Sequence, residues 1–117
     1  MLFRVDTSAG EPLFAQLAAQ VRTAAAGGEL VAGERLPAAR ALAASLQVNV
    51  HTVLRAYAKL REEGLIELRR GRGAVVTSRA ADDLGDLHEA VARLAATTRR
   101  LGVAPETAHA LLTEAMR

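Results

Sequence analysis

Apolar residues recur every three or four positions in several stretches of this chain, which is the spacing of one buried face of an α-helix. The most regular stretch, residues 49–64, has its apolar residues at Val53, Ala56, Tyr57 and Leu60. Asn49 can cap the start of such a helix through its side-chain oxygen, and Gly64 can adopt the left-handed conformation that commonly follows a helix end. The pattern therefore predicts a bounded helix with one apolar and one polar face.

Two further helices are predicted before this one. The apolar spacing favours a first helix over residues 12–26 and a second, shorter helix over residues 39–46. A short extended segment is predicted at residues 3–5, ahead of both. Two short helices joined by a tight connection, the second with a polar outer face, are typical of a helix-turn-helix.

The apolar pattern changes from helical to alternating after residue 64. Leu65, Ile66 and Leu68 lead into a glycine-containing turn, and a second β-prone run follows at residues 74–77. Two such runs around a turn predict a β-hairpin. The tip of this hairpin carries three arginines, Arg69, Arg70 and Arg72, together with Gly71 and Gly73. A tip this basic suits a wing that lies against phosphate, and an exposed solubilising turn is the alternative.

Residues 80–117 are predicted to form two more helices, separated by a break at residues 102–105. These helices are too short to build a core with a roomy pocket of their own. Their apolar stripes must be buried against the first domain or against a second copy of the chain, and we predict a homodimer. The expected dimerisation residues are Leu84, Leu87, Val91, Leu94, Leu101, Leu111 and Leu112.

The predicted fold is mainly α with a small β-hairpin. A winged helix-turn-helix domain is expected over residues 1–79, and a two-helix dimerisation module over residues 80–117.

Composition narrows the classes of function. The absence of cysteine excludes a disulfide framework, a thiol nucleophile and a thiolate metal site. No apolar run approaches ~18 residues, and charged residues follow the first three positions at once, so neither a membrane span nor a signal peptide is expected. The predicted location is the cytoplasm.

Motifs of catalysis are incomplete in this chain. His88 and Glu89 begin a pattern like that of zinc proteases, but Ala92 stands where the second histidine would be needed. No nucleophile, base and orienting acid can be assembled. We predict that the chain is not an enzyme and that it uses neither a metal nor another cofactor.

The net charge of +2 conceals an uneven distribution. Residues 35–79 hold nine basic and three acidic side chains, a net charge of +6, whereas the flanking residues together carry −4. A basic block between acidic flanks is expected for a protein with a polyanionic partner, although a solvated face is the alternative.

Only the major groove of double-stranded DNA displays a distinct pattern of hydrogen-bond donors and acceptors for every base pair, so the polar face of the helix at residues 49–64 is predicted to enter that groove. The expected contacts from this helix are Asn49, His51, Thr52 and Arg55.

These stretches resemble the GntR family of bacterial winged-helix transcription factors. The resemblance covers roughly residues 11–77 and rests on residues 33–43, on an Asn-x-x-Thr-Val-x-x-Ala-Tyr pattern at residues 49–57, and on the Gly-Leu-Ile and Gly-Arg-Gly motifs at residues 64–66 and 71–73. That Asn-to-Tyr pattern and the short two-helix tail are similar to the YtrA subfamily. The resemblance implies a homodimeric regulator, often a repressor, that lacks a full-sized effector domain.

The resemblance also implies roles for particular residues. It assigns Arg40 to a DNA contact and places the motif from Arg70 to Gly73 at the wing tip. Two departures from the family pattern stand out. Ala38 replaces a serine found in many members, and Val50 and Leu54 occupy positions that are often arginine. Those two side chains either widen the core or offer an apolar contact to thymine methyl groups.

One winged helix makes few base contacts, so two are expected, placed by a two-fold axis on inverted half-sites about one helical turn apart. The alternative function is a winged-helix module that contacts protein or RNA without recognising an operator. Sequence-selective RNA recognition usually needs exposed aromatic rings, and Tyr57 is expected to be buried. A small-molecule effector is left open, with the dimer seam as the expected place for it.

Overall fold

The computed structural model describes the backbone of the whole chain and the side chains of residues 1–79 and 83–117. The fold is mainly helical with one two-stranded antiparallel sheet, which confirms the predicted class. The elements in chain order are α1 (Leu13–Ala26), α2 (Ala39–Leu46), α3 (Val50–Glu62), β1 (Ile66–Arg69), β2 (Gly73–Val76), α4 (Ser78–Leu101) and α5 (Pro105–Ala115).

The chain divides into two compact units, Met1–Gly85 and Asp86–Arg117. The first unit has a continuous apolar core to which the three helices and the hairpin all contribute. Its fully buried large side chains are Leu17, Val21, Val53, Leu60, Ile66, Val75 and Val76. No buried polar or charged side chain occurs among the residues whose side chains are described. The α1 and α2 helices both pack against α3.

The connection between α2 and α3 is tight, as the helix-turn-helix prediction requires. Gln47 ends α2 in the left-handed conformation, with φ of 57°. Asn49 then caps α3, because its Oδ1 accepts a hydrogen bond of 2.8 Å from the backbone N–H of His51. At the other end of α3, Gly64 has a positive φ of 77°, which glycine adopts without steric cost. Both predicted helix boundaries are confirmed.

The hairpin pairs Ile66 with Val76 and Arg69 with Gly73. The free edge of β2 is covered by the segment that precedes α2. The N–H of Leu36 donates to the carbonyl of Ala74 at 2.9 Å, and the N–H of Gly33 donates to the carbonyl of Val76 at 2.8 Å. These bonds fix the hairpin to the start of the helix-turn-helix.

The segment predicted as extended, residues 3–5, forms no strand. Glutamine side chains of α1 bind its backbone instead: the N–H of Arg4 donates to Gln20 Oε1, and the N–H of Asp6 donates to Gln16 Oε1, both at 2.9 Å. Phe3 enters the core from this segment. The glutamine side chains of α1 therefore bind backbone groups that a neighbouring strand would otherwise bind.

The α4 helix begins at Ser78, two residues before the boundary suggested by the sequence. Leu84, which was expected at a dimer seam, is half-buried and packs against the core of the first unit. In the second unit the large apolar residues are exposed, and Pro105 begins α5 as predicted. None of the described helices is long and apolar enough to cross a membrane.

Candidate nucleic-acid interface

The α3 helix has one buried and one exposed face. Val53, Ala56 and Leu60 are fully buried, and Tyr57 is nearly so. On the other side the helix exposes a polar surface consisting of His51, Arg55, Lys59, Arg61 and Glu62. The apolar stripe therefore anchors α3 to the core and turns its polar side chains outward, as the spacing predicted.

The first turn of α3 and the start of α1 border an open hollow. The hollow is lined by Pro12, Leu13, Phe14, Asn49, His51, Thr52 and Arg55. All four of the α3 residues predicted to contact DNA are among them. The structure thus brings these side chains together on one surface, with an aromatic ring of α1 beside them.

Arg55 stacks on that ring. Its guanidinium carbon lies 3.9 Å from the centroid of the Phe14 ring, a cation–π contact. Stacking uses the flat face of the guanidinium, so the N–H groups in its plane can still donate to a phosphate or a base edge. The contact narrows the orientations available to Arg55 before any ligand arrives.

Two contacts fix the position of α3 against its neighbours. The Tyr57 hydroxyl donates a hydrogen bond of 2.7 Å to the carbonyl of Pro37, just before α2, and burial raises the pKa of Tyr57 to about 12. Arg22 of α1 binds Glu63 at the end of α3 through two hydrogen bonds, of 2.7 Å from Nε and 2.6 Å from Nη2. The hydrogen bond from Arg22 lowers the pKa of Glu63. The helix is therefore held to α2 near its middle and to α1 at its end.

Arg40 lies in the first turn of α2 and is exposed. Ala38 occupies the N-cap position of α2 and makes no side-chain cap, since it lacks a hydroxyl. This departure from the family pattern therefore has a structural consequence: the start of α2 lacks the side-chain cap that serine would supply.

Two of the three arginines predicted at the hairpin tip lie in the turn, and the third does not. Arg70 and Arg72 are both exposed in the turn, and Nη2 of Arg72 donates to the carbonyl of Gly33 at 3.3 Å. Arg69 instead belongs to β1, where its Nε donates to Glu67 at 2.6 Å. Gly71 and Gly73 have positive φ values, of 79° and 74°, which shape the turn.

Val50 and Leu54 have different environments. Val50 is half-buried and packs against the core, whereas Leu54 is 47% exposed. The two alternatives drawn from the sequence thus separate by residue: Val50 widens the core, and Leu54 remains on the surface of α3.

Sequence reasoning missed several residues of this surface. Phe14 lies within the helix predicted over residues 12–26, but its stack under Arg55 depends on how α1 and α3 pack. Arg22 and Glu63 are 41 residues apart, so no local pattern connects them. No group of three or more potential metal ligands occurs among the described residues.

The three-helix core, the hairpin and the exposed α3 face together define a winged helix-turn-helix DNA-binding domain of the kind found in transcription regulators. The profile described as bacterial regulatory proteins, gntR family, matches residues 13–76. The chain belongs to the GntR family and is of the YtrA type. Members of this family regulate transcription, and the relatives below are likewise regulators.

Two relatives show how far the similarity extends. The chain is 38% identical over 110 residues to the HTH-type transcriptional regulator Rv1152 of Mycobacterium tuberculosis, a match that covers 94% of this chain and 90% of that protein. It is 32% identical over 83 residues to the HTH-type transcriptional repressor YtrA of Bacillus subtilis, which covers 71% of this chain and 64% of YtrA.

Solved structures agree with this assignment. YtrA from Sulfolobus acidocaldarius, a GntR-family transcription factor, has a TM-score of 0.62 at 33% identity, covering 80% of this chain and 96% of that one. AraR(DBD) in complex with operator ORX1 has a TM-score of 0.55 at 25% identity, covering 65% of this chain and 93% of that one. The chain is therefore similar to a domain solved in complex with its operator.

Proposed function

We propose that this chain is a homodimeric repressor that binds an inverted-repeat operator, with one α3 helix in the major groove of each half-site. The proposal rests on the two faces of α3: its apolar stripe is buried, and its polar, mostly basic face is exposed. A helix held in this way can enter a groove without losing its place in the core.

Each part of the surface has a distinct task in this proposal. Asn49 caps α3, and His51 and Thr52 lie in its first turn; this end of a recognition helix contacts base edges. Arg55, oriented by Phe14, bonds a guanine edge or a phosphate. The side chains that contact the DNA backbone or the minor groove are Arg40, Arg70 and Arg72, and the wing glycines, Gly71 and Gly73, let the chain approach closely.

The dimer is supported by the exposed apolar residues of α4 and α5. The residues of this apolar stripe, each at least 43% exposed in the single chain, are Leu87, Val91, Leu94, Leu101, Leu111 and Leu112. A run of exposed large apolar side chains on two neighbouring helices is typical of an interface that a partner covers. The proposed seam does not include Leu84, which packs partly against the core of the first unit.

The proposed dimer would repress transcription by occupying its operator. A dimer on two half-sites contacts consecutive turns of one face of the duplex, so it would exclude other proteins from a promoter that overlaps the operator. The name of the relative YtrA, a transcriptional repressor, supports this sign of regulation over activation.

The direct test is to select binding sites from random duplexes with the purified full chain. We expect an enriched sequence made of two inverted half-sites whose centres lie about 10 base pairs apart or a multiple of that. Enrichment of a lone half-site or of direct repeats would contradict the symmetric dimer, and no enrichment would contradict operator recognition.

A competition between the selected duplex and single-stranded RNA tests the RNA alternative. The aromatic residues of the chain number three, and Phe3 and Tyr57 are buried while Phe14 lies half-buried under Arg55. RNA recognition by base stacking would need an open ring. Tighter binding to single-stranded RNA than to the selected duplex would favour the RNA alternative.

A further inference from the structure

Leu54 is the large aliphatic side chain of α3 that remains on the surface. It is 47% exposed, whereas Val53 and Leu60 are fully buried and Val50 packs against the core. A lone exposed leucine is common on protein surfaces and needs no explanation there. This one lies next to Arg55 and one turn from His51, within the face proposed to meet DNA.

Helical geometry places Leu54 on a particular side of α3. Successive residues are rotated by about 100°, and Arg55 points toward α1 because it stacks on Phe14. Leu54 therefore lies on the flank away from α1. Its neighbour one turn on, Tyr57, reaches the carbonyl of Pro37 at the start of α2. The Leu54 flank is thus the one beside the first helix of the helix-turn-helix.

In the proposed complex, that flank of α3 would lie in the groove. In this arrangement the first helix crosses the phosphate backbone while the second helix reaches the base edges. Arg40, exposed in the first turn of α2, supplies the positive charge for that crossing. An exposed side chain on the flank of α3 beside α2 would then face base pairs.

We propose that Leu54 is a specificity-determining residue that contacts the 5-methyl group of a thymine in each half-site. This inference rests on the proposed function. The thymine methyl is the apolar group that base edges display in the major groove. A leucine has no donor or acceptor, so against any other base edge it would leave a polar atom unpaired. The contact therefore favours thymine and disfavours the other bases.

The test uses the duplex selected with the full chain. Each thymine of one half-site is replaced in turn by deoxyuridine, which lacks the methyl group and keeps every hydrogen-bonding atom. We expect one position per half-site where the replacement weakens binding about fourfold, the value of one buried methyl group. In Leu54→Ala the same replacement should change the affinity by less than about twofold, as a double-mutant cycle requires.

Leu2→Ala is the matched control, because Leu2 is exposed in the N-terminal segment, outside the proposed interface. It should keep the full effect of deoxyuridine. Wild-type binding that tolerates deoxyuridine at every position would overturn the inference while leaving the proposed function intact, and so would an effect that persists in Leu54→Ala. Failure to enrich any duplex would overturn the proposed function, and this inference with it.

Discussion

Arg22 and Glu63 show how one ion pair can set the orientation of the proposed recognition helix. The pair joins the middle of α1 to the residue that follows α3, through two hydrogen bonds. Both side chains are about two-thirds buried, with 34% and 28% of their surfaces exposed. A bidentate arginine–carboxylate pair in partial burial is stronger than an ordinary surface pair.

Replacing Glu63 with Gln should lower the free energy of unfolding by about 1 kcal/mol at pH 7, since the charge that Arg22 binds is removed. The pKa of Glu63 is lowered from its ordinary value of 4.5. A lowered pKa means that the folded state favours the ionised form, so this stabilisation is complete above pH about 4.5 and is lost as the pH falls through the folded-state pKa. Urea unfolding of both proteins between pH 7 and pH 3 measures the difference.

Glu67→Gln is the control, because Glu67 pairs with Arg69 on the exposed side of the hairpin. It should cost a few tenths of a kcal/mol or less, as exposed pairs commonly do. A stability difference for Glu63→Gln that stays constant down to pH 3 would show that the pair is not the cause.

Secondary structure was predictable at the scale of elements wherever one face of the element is buried. The stripe at Val53, Tyr57 and Leu60 determines α3 because those side chains all enter the core. Likewise the Asn49 cap and the Gly64 end follow from chemistry local to each residue. The hairpin was predictable from its two β-prone runs and its glycine turn.

Contacts between elements were not predictable in the same way. The stack of Arg55 on Phe14 and the closing of the β2 edge by the segment before α2 depend on packing between parts distant in sequence. The exposure of single positions could not be predicted from spacing either. Leu84 has the spacing of the dimer stripe and packs partly against the core of the first unit, whereas Leu87 and Val91 of the same stripe are exposed in the single chain.

The hairpin supplies a prediction about wing electrostatics. Arg70 is exposed at the tip, so in each chain of the proposed dimer it would bind a phosphate. Arg70→Ala should lower the slope of log affinity against log salt by about two for the dimer, because one phosphate in each half-site is no longer neutralised. Titrations by fluorescence anisotropy at several salt concentrations give the slope.

Arg69→Ala is the matched control in the same hairpin, because Arg69 binds Glu67 within β1. It should change the salt slope by much less than Arg70→Ala. Equal changes from the two substitutions would mean that the wing acts through its net charge and makes no specific contact.

At the scale of the whole molecule, the proposed dimer depends on the stripe of α4 and α5. Val91 lies within this stripe and is 53% exposed in the single chain. Val91→Glu would place a charge in the seam, so it should raise the dimer dissociation constant at least about tenfold. Light scattering across a concentration series measures the mass of the species in solution.

Ala92→Glu adds the same carboxylate one residue further along α4, about 100° around the helix and off the stripe. This variant should remain dimeric at concentrations where Val91→Glu dissociates. A wild-type chain that is monomeric at micromolar concentration would contradict the dimer outright.

The central claim is that the exposed face of α3 reads base pairs. The most direct measurement is the ratio of affinities for the selected operator and for a scrambled duplex of equal length, compared between wild type and His51→Ala. His51 is exposed in the first turn of α3, and its backbone N–H, which bonds Asn49, survives the substitution. We expect the ratio to fall at least about thirtyfold, because one base in each of the two half-sites is no longer read at about 1 kcal/mol or more each, while affinity for the scrambled duplex stays nearly constant. An unchanged ratio, or an equal weakening on both duplexes, would contradict the claim.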